Sequence, residues 1–488
     1  QQLLRNRRTD YGTISTGVDH AFDARHTLSV SGLFNREKII DDGDNPFFRD
    51  DLGQRYRRWE FLEDEVKYTA FASAVLTRRY QQPGRSLTLT SNYSFHREDE
   101  RYAFRNTLPN FVGRDSFALL SDEHVVDVNL DHTRPLRQGR VDLGVKTRYR
   151  FIPVNMRFFP GEQSPIDSGA GGWATYREWI PALYANYVFE SERVEVEGGL
   201  RVETVVLDYD VNPDHNTYRS DGYRYTQPFH NVRLAYKFDA NQKVSLILGR
   251  RVDRPNEVDI RIFPKYDEPE LIKVGNPGLR PQFTTSVDLG YRSSWTRGSL
   301  YLAGFHRVTD ATITRIATRA PGSALLYNVF QNAGRSWVTG SETVWQQGVG
   351  TRLTLGANAT IYRNTVGAFT GVNQYPVPVA YAVERQQLVS GNVKVNASWR
   401  VDTGADVRVT SVYLTPDLLP QGRIGSRYSL DLGVRKDVQR GRGEIVLNGT
   451  DILNTMRIRR TVRGSDFELV STDYAETQAF RAGYTWKF

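Results

Sequence analysis

The chain ends in Phe480-Arg-Ala-Gly-Tyr-Thr-Trp-Lys-Phe488, where aromatic and small residues alternate with polar ones. Successive side chains of a β-strand point to opposite faces, so one face here is apolar and the other is polar. A strand of this kind that ends on an aromatic residue is typical of the closing strand of an outer-membrane β-barrel, which lies between lipid and a wet lumen. An amphipathic edge strand of a soluble sheet would alternate in the same way, and this stretch alone leaves both interpretations open.

Composition favours the barrel. The 488 residues include 26 Tyr, 24 Phe and 8 Trp but no Cys. Aromatic enrichment suits the two girdles at the interfaces of a bilayer, and the lack of cysteine suits an oxidising envelope, although it also occurs in cytosolic proteins. No uncharged apolar run approaches the roughly 20 residues of a spanning helix, which excludes an α-helical membrane protein. Barrel strands need only about 10 residues each, and half of those face water.

The charge distribution argues against a nucleic-acid partner. The net charge is +8, which would fit nucleic acid, anionic lipid head groups or an anionic ligand. Lys and Arg are spread along the chain and are not gathered in one basic block, so no nucleic-acid interface is predicted. Residues 1–8 carry no secretory signal, so either the mature chain starts at Gln1 or upstream residues are missing.

Period-two alternation recurs along the chain and predicts an all-β, antiparallel fold. The clearest runs are residues 28–34, 87–95, 141–149, 194–202 and 428–434. No segment of comparable length has a 3.6-residue apolar period. Short turns and long polar stretches alternate between the runs, as do the tight periplasmic turns and long extracellular loops of outer-membrane barrels. The turns are predicted at residues 23–25, 81–84, 137–139, 191–193, 239–242, 296–298, 348–350, 402–404 and 439–443, and the irregular stretches at 36–58, 152–176, 206–225, 250–283 and 362–384.

The number of turns predicts the number of strands. Nine short turns imply about eighteen strands, and a closing strand at 472–488 makes roughly nineteen. Bacterial single-chain barrels normally have an even number, so a chain whose first strand descends from the outside is expected to lack at least one upstream strand. Two alternatives are that residues 1–10 form an ascending strand, or that one hairpin is miscounted.

Two groups of motifs resemble the β-barrel region of TonB-dependent outer-membrane receptors, especially the outer-membrane β-barrel family often joined to a carboxypeptidase-regulatory-like domain. Each motif is weak singly, and together they are fairly specific. The first group is Gly249–Pro255, then Val274–Pro281 with Asn276, Pro277, Leu279 and Pro281, then Ser286–Tyr291. The second is Tyr413–Pro416, Pro420–Gly422, Ser429–Arg435, Asp451–Thr455 with Asp451 and Asn454, and the terminal Phe488. Pro277 and Pro281 lack backbone donors and predict a stiff segment outside the sheet, and Asn454 can close a strand end through side-chain-to-backbone bonds.

The resemblance implies a 22-stranded barrel, with about three strands, a plug domain that fills the lumen and an energy-coupling box before Gln1. Residues 1–488 are then one transmembrane β-barrel domain whose plug and first strands lie upstream and are absent from this sequence. A large barrel without its plug would be an open aqueous pore, which puts active transport by this chain alone in doubt.

No catalytic constellation, phosphate-binding glycine loop or paired metal-ligand motif occurs, so neither an enzyme nor a cofactor is predicted. The eight histidines are scattered, and no metal site is predicted from them. The acidic residues Asp41, Asp42, Asp44, Asp50 and Asp51 could hold a divalent cation, yet their spacing does not match an EF-hand loop. A solvated, charged loop tip is the favoured interpretation.

One further stretch combines rings that can stack on a flat ligand with donors for hydroxyl or carboxylate groups. We predict a ligand-binding loop at these positions: Tyr209, Tyr218, Arg219, Tyr223, Arg224 and Tyr225. Interfacial aromatics that merely meet lipopolysaccharide head groups would have the same composition.

Two functions of different class remain open. The first is a TonB-dependent receptor that imports a scarce small nutrient across the bacterial outer membrane, with lipid and lipopolysaccharide around it and the periplasmic transducer TonB as a partner through the missing N-terminal region. The second is a plugless pore or a structural and interaction barrel of an envelope complex. The residues leave the ligand open among siderophore, glycan, peptide and cobalamin.

Overall fold

The computed structural model describes residues 4–49 and 53–486. The strands within these residues are β1 (Leu4–Ala21), β2 (His26–Phe48), β3 (Arg55–Arg79), β4 (Ser86–Leu108), β5 (Phe111–Pro135), β6 (Arg140–Phe159), β7 (Gly172–Glu190), β8 (Val194–Val211), β9 (Asp221–Lys237), β10 (Gln242–Asp253), β11 (Leu271–Val274), β12 (Gln282–Trp295), β13 (Gly298–Asp310), β14 (Ile313–Arg319), β15 (Leu326–Asn332), β16 (Ser336–Val349), β17 (Leu353–Val366), β18 (Phe369–Asn373), β19 (Val379–Val383), β20 (Gln386–Asp402), β21 (Ala405–Leu414), β22 (Asp417–Leu419), β23 (Gly422–Ile424), β24 (Arg427–Val438), β25 (Gly443–Thr450), β26 (Ile458–Arg463), β27 (Glu468–Asp473) and β28 (Ala479–Trp486).

One large antiparallel sheet of 19 strands dominates the fold, as the turn count predicted. Each of its strands pairs with the next one along the chain, so the sheet is a continuous meander. The other strands form three small sheets, which are β11-β15-β14, β18-β19 and β22-β23-β26-β27. A one-turn helix, α1 (Glu257–Ile260), and 3-10 turns at Ser168–Ala170 and Gln439–Gly441 complete the elements of the described residues.

All nine predicted short turns are present, and they lie at one end of the sheet, which we call the short-turn rim. The longer connections and the three small sheets lie at the other end, the long-loop rim. Strand β1 runs as one piece from Leu4 towards the first short turn, which confirms a descending first strand and excludes a separate ascending strand at residues 4–10. The closing strand starts at Ala479 and not at 472, because residues 468–473 form β27 above it.

The outer face of the sheet carries an exposed apolar band next to the short-turn rim. Phe480, Tyr484 and Trp486 lie on this face, and Ile445 and Leu447 of β25 face outward beside them in the strand register. Further along the sheet Leu183 is 64% exposed. Exposed rows of this kind over about ten residues per strand are the lipid-facing surface of a transmembrane barrel. Among the described residues, no helix is long and apolar enough to cross a membrane.

Strands β2 to β5 continue well past the membrane. They contain 23 to 25 residues, whereas a crossing needs about 9 to 11. The prediction of irregular stretches was therefore wrong for more than half of the residues at 36–58, 152–176, 206–225 and 362–384. Strands β2 and β3, β6 and β7, and β8 and β9 extend into the first three, and β17, β18 and β19 occupy most of the fourth. Residues 250–283 are mostly irregular, as predicted. Beyond the lipid the outer face of the strands meets polar surroundings, so the apolar residues of that face disappear although the ladder continues.

The acidic stretch is also a strand and not a loop tip. Asp41 and Asp42 lie on opposite faces of β2, with Asp41 fully buried and Asp42 exposed. The Asp41 carboxylate accepts hydrogen bonds from Arg5 and Arg7 at 2.7 and 2.9 Å. Asp44 pairs with Arg58 at 2.8 Å, and Asp50 and Asp51 lie outside the described residues.

Candidate functional site

Residues 254–281, which we call the docked loop, fold back from the long-loop rim against the inner face of β2–β9. The turn α1 begins the loop, and Asn256 and Asp259 cap it reciprocally through side-chain bonds to each other's backbone N–H groups. Apolar side chains of the loop are buried against the wall. They are Ile260, Ile262, Phe263, Tyr266, Ile272, Val274 and Leu279.

The wall offers the docked loop a layer of aromatic side chains, the aromatic layer, on the inner face of β2–β5. It consists of Phe47, Trp59, Phe61, Tyr102, Phe104 and Phe117. The ring centroids of Trp59 and Phe104 are 5.2 Å apart, and those of Tyr102 and Phe117 are 4.6 Å apart. Such tilted pairs stabilise beyond the area they bury, so the main hydrophobic core of the molecule lies at the mouth of the barrel.

A charged layer lies directly beneath the aromatic layer, on the same face of β3 and β4. It consists of Glu63, Glu65, Glu98 and Glu100, which approach two cations of the docked loop. Lys265 Nζ is 2.9 Å from Glu100 Oε1, and Arg261 forms ion pairs with Glu98 and, at 2.7 Å, with Glu257. The docked loop is therefore held by buried charge pairs as well as by apolar packing.

Burial controls the ionisation of this layer, which lies above the membrane-spanning part of the strands. Burial, together with the neighbouring Glu100, raises the pKa of Glu63 to about 7. Burial and the neighbouring Glu98 raise the pKa of Glu65 to about 8. Although burial opposes ionisation of Glu98 as well, the Arg261 guanidinium holds the pKa of Glu98 at about 2. Glu98 is thus the ionised anchor for the docked loop.

Other connections join the docked loop to close over the mouth. Strand β11 of the docked loop pairs in parallel with β15, and β15 pairs with β14. Asn373 is fully buried, and its side-chain Nδ2 donates to Thr318 Oγ1 at 2.9 Å while its Oδ1 accepts from Gln331 at 2.7 Å. The hydroxyl of Tyr375 donates to Asp167 Oδ2 at 3.1 Å. We call the docked loop and these joined connections the cap.

The predicted ligand-binding loop lies against the docked loop. Tyr209 and Tyr218 are buried, and the Tyr218 hydroxyl donates to the Gly275 carbonyl at 3.0 Å. Tyr223 and Tyr225 stack with their centroids 6.0 Å apart, and the Arg280 guanidinium lies 3.9 Å from the centre of the Tyr223 ring. These four tyrosines are brought together.

The two arginines of that prediction do not join the tyrosine group. Arg219 donates to the backbone carbonyls of His215 and Tyr218, and Arg224 is exposed. Burial raises the pKa of Tyr209 and of Tyr225 to about 12, so both stay protonated. The contacts give the tyrosines a packing role, and ligand binding by this group stays a prediction.

The family-motif residues have structural roles at loop junctions. Asn276 Nδ2 donates to the Phe330 carbonyl at 3.0 Å and thereby joins the docked loop to β15. Leu279, between Pro277 and Pro281 in the sequence, is fully buried. At the second motif the Asp451 carboxylate, and not Asn454, makes the predicted side-chain-to-backbone bonds, by accepting from the N–H groups of residues 455 and 456. Phe488 lies outside the described residues.

The lumen on the opposite wall is open and polar. A recess of about 390 Å³ lies on the inner face of β16, β17, β20 and β21. Asn358, Asn396, Thr410, Lys394 and Arg408 line it. This surface offers both hydrogen-bond donors and acceptors but few charges.

Sequence analysis missed the charged layer, although a signal was present. Residues 59–67 read Trp-x-Phe-x-Glu-x-Glu-x-Lys, a period-two pattern that places aromatic and charged residues on one face. Counting back from the short turn between Arg79 and Ser86 places Glu65 opposite Glu100, as observed. The irregular stretch was predicted to end at residue 58, and the register of residues 59–67 was not followed.

Comparison with known proteins agrees with the architecture. Residues 78–486 match the outer membrane protein beta-barrel family. No curated protein is significantly similar to the chain in sequence.

Solved structures of similar fold have little sequence identity with the chain. The ferric-catecholate import receptor Fiu from K12 E. coli is 10% identical with a TM-score of 0.58, covering 99% of this chain and 81% of that one. The siderophore receptor PiuA from Acinetobacter baumannii is 10% identical with a TM-score of 0.57, covering 100% and 81%. The ferric yersiniabactin uptake receptor FyuA from Yersinia pestis is 13% identical with a TM-score of 0.54, covering 99% and 78%. At such identity the likeness establishes the fold alone.

Proposed function

The chain belongs to the outer membrane protein beta-barrel family and is an integral β-barrel of the bacterial outer membrane, and from this premise we propose that it is the barrel of a TonB-dependent receptor that imports a scarce small ligand. The proposal includes a plug domain and the first strands of the barrel upstream of Gln1, with TonB as the periplasmic partner. It also includes the absence of enzymatic activity. The solved structures of similar fold are uptake receptors by their own descriptions, which supports this class of function.

The capped mouth is the observation that carries the proposal. A pore for free diffusion gains nothing from a hydrophobic core at its own entrance, whereas a receptor needs ordered outer loops that close behind or around a ligand. Polar donors and acceptors of the opposite wall, such as Asn358 and Asn396, suit a ligand or a plug that is held by hydrogen bonds.

The open edges of the sheet support the upstream strands. Within the described residues β1 pairs only with β2, and β28 pairs only with β25. In lipid each unpaired backbone N–H or C=O group costs roughly several kcal/mol of free energy. A barrel in the membrane therefore needs both edges of its sheet paired.

Conductance distinguishes a gated receptor from a pore. We expect the protein purified from outer membranes to be silent in a planar lipid bilayer and to bind the isolated periplasmic domain of TonB. A matched protein that lacks residues 256–278 tests whether the cap contributes to closure. Persistent large conductance of the intact protein without TonB binding would favour the plugless pore or interaction barrel.

A further inference from the structure

We propose that Glu63, Glu65 and Glu100 form a binding site for one divalent cation, with Ca²⁺ as the best match. One carboxylate oxygen from each residue lies within 4.8 Å of the others. Each of the three residues is only 2% exposed. The site lies on the inner face of β3 and β4 just under the aromatic layer, and the inference is independent of the transported ligand.

The strand register brings three carboxyl groups together at this point. Glu65 lies directly opposite Glu100 in the ladder, and Glu63 is the next residue of β3 on the same face. Like charges directly opposite each other on a sheet destabilise it, and removal from water strengthens the repulsion. A divalent cation between the three carboxylates converts that repulsion into attraction.

Two buried oxygen atoms of this layer lack a hydrogen-bond partner. Tyr102 lies opposite Glu63 in the register and is 2% exposed. Its hydroxyl lies beside Glu63 and Glu100. Neither this hydroxyl nor Glu65 Oε1 has a partner at hydrogen-bonding distance and angle. Buried polar atoms are nearly always partnered, so orphan oxygens from two residues at one place indicate a missing partner.

Nearby cations neutralise part of the charge of the triad. Lys67 Nζ is 3.0 Å from Glu65 Oε2, and Arg5 Nη2 is 3.4 Å from Glu63 Oε2. Lys265 Nζ is 2.9 Å from Glu100 Oε1 and 3.9 Å from Glu63 Oε1. These contacts leave Glu65 Oε1 free. A bound cation would use Glu65 Oε1 and compete with Lys265 for Glu100.

The donor set selects the kind of cation. Carboxylate and hydroxyl oxygens suit hard cations, and Ca²⁺ accepts flexible geometry at about 2.3 to 2.6 Å, whereas Mg²⁺ demands a near-ideal octahedron. The partial neutralisation by lysine and arginine predicts weak binding, with a Kd on the order of 10⁻⁴ to 10⁻³ M as in extracellular calcium modules.

Terbium luminescence tests the site in the full chain in detergent micelles. Tb³⁺ replaces Ca²⁺, and Trp59 and Tyr102 are placed to transfer excitation to it. We expect saturable emission on excitation of the aromatic rings, displaced by Ca²⁺. Glu65→Gln combined with Glu100→Gln, which preserves side-chain shape, should weaken Tb³⁺ binding at least tenfold. Glu203→Gln removes another buried inner-face carboxylate, one held by Arg201 and Arg254, and should leave the affinity unchanged.

A second measurement needs no variant. Millimolar Ca²⁺ should raise the thermal midpoint of the wild-type protein more than equimolar Mg²⁺ does. The proposal is overturned by absence of saturable Tb³⁺ emission, by emission that Ca²⁺ does not displace, or by an equal loss of affinity in Glu203→Gln. Any of these results means that lysine and bound protons alone balance the negative charge of the three carboxylates.

Discussion

The two halves of the sheet share the same antiparallel pairing but differ in strand length and in what their inner faces carry. Strands β2 to β9 contain 17 to 25 residues and rise past the membrane as one tall wall, whereas β12 to β28 of the same sheet contain 8 to 17. The tall half carries the aromatic and charged layers. The short half carries small separate sheets above a polar inner face.

The strand extensions above the membrane therefore form the surface against which the docked loop packs. Above the lipid the ladder still fixes backbone positions, so side chains such as Trp59 and Glu98 are held by regular structure and not by loops. The docked loop, in contrast, has little regular structure of its own and depends on that wall. The following four variants test this division of roles.

The largest effect is expected from removing an aromatic ring of the tall half. The Phe104 ring contacts Trp59, Tyr102 and Phe117, with centroids 5.2 to 5.6 Å away. Phe104→Ala should lower the free energy of opening of the docked loop by about 3 to 5 kcal/mol, because burial and cavity terms add. Hydrogen exchange of residues 271–274 measures the opening. Phe305 is a similarly buried ring of β13, and Phe305→Ala should leave this exchange unchanged. An equal effect of the two variants would show that the docked loop does not depend specifically on the tall half.

A buried ion pair should matter more than an exposed one. Arg261→Met leaves the carboxylates of Glu98 and Glu257 without their cation and should cost roughly 3 kcal/mol in docked-loop opening. Arg307→Met removes a partner of Asp288 in the short half, 3.5 Å away and partly exposed, and should cost about 0 to 1 kcal/mol. Limited proteolysis within residues 254–281 reports both changes. Equal digestion of the two variants would show that charge pairing does not hold the loop.

In the short half, the connections that join the cap should be held together strongly at Asn373. Asn373→Ala leaves Thr318 Oγ1, Gln331 Nε2 and the Ile316 carbonyl without this partner and should cost about 2 kcal/mol locally. Hydrogen exchange of β14 and β15 should rise. Asn396→Ala, in the polar recess, serves as the control, and protection of β14 that survives Asn373→Ala would contradict the assigned role.

The smallest effect is a pH dependence of the tall half at His215, which lies outside the membrane. Burial lowers the pKa of His215 to about 4 from an ordinary value near 6.5. The unfolded form therefore binds a proton more readily than the folded form, so stability is lost as pH falls from 6.5 to 4 and is unaffected above 6.5. We expect about 1 kcal/mol of local destabilisation at pH 6, seen as faster proteolysis of residues 212–220.

His215→Asn should abolish this pH dependence. An asparagine oxygen can accept from the N–H groups of Thr217 and Tyr218, as His215 Nδ1 does at 3.1 Å. The exposed His306 gives a control, since His306→Asn should leave the acid sensitivity intact. Persistence of the acid effect in His215→Asn would assign it to other groups.

The sheet could be predicted from sequence because two local signals determine it. Alternation fixed the membrane-spanning strands, and turn residues such as Gly84, Gly139 and Gly350, which have positive φ, fixed the hairpins. The alternation depends on lipid on one side of the wall. The upper half of β2, with Asp41 buried and Asp42 exposed, lacks that contrast and was taken as a loop.

The cap could not be predicted for a different reason. Leu279 and Tyr266 are buried only because the docked loop meets residues more than a hundred positions away, such as Met156 and Trp59. Nothing in the local sequence of residues 254–281 specifies that wall. The tyrosine group was found by composition alone, but composition does not distinguish rings that pack together from rings that await a ligand.

The parallel pairing of β11 with β15 has a consequence for the order of folding. Leu271 and Leu326 are neighbours in that pair although the hairpin β12–β13 and the strand β14 separate them in sequence. Their pairing requires β12–β13 to have crossed to the short-turn rim and returned, since only then do both segments lie at the same end. Assembly of the cap is therefore a late event that follows membrane insertion of the hairpins. A hairpin that fails to insert correctly prevents the cap from forming.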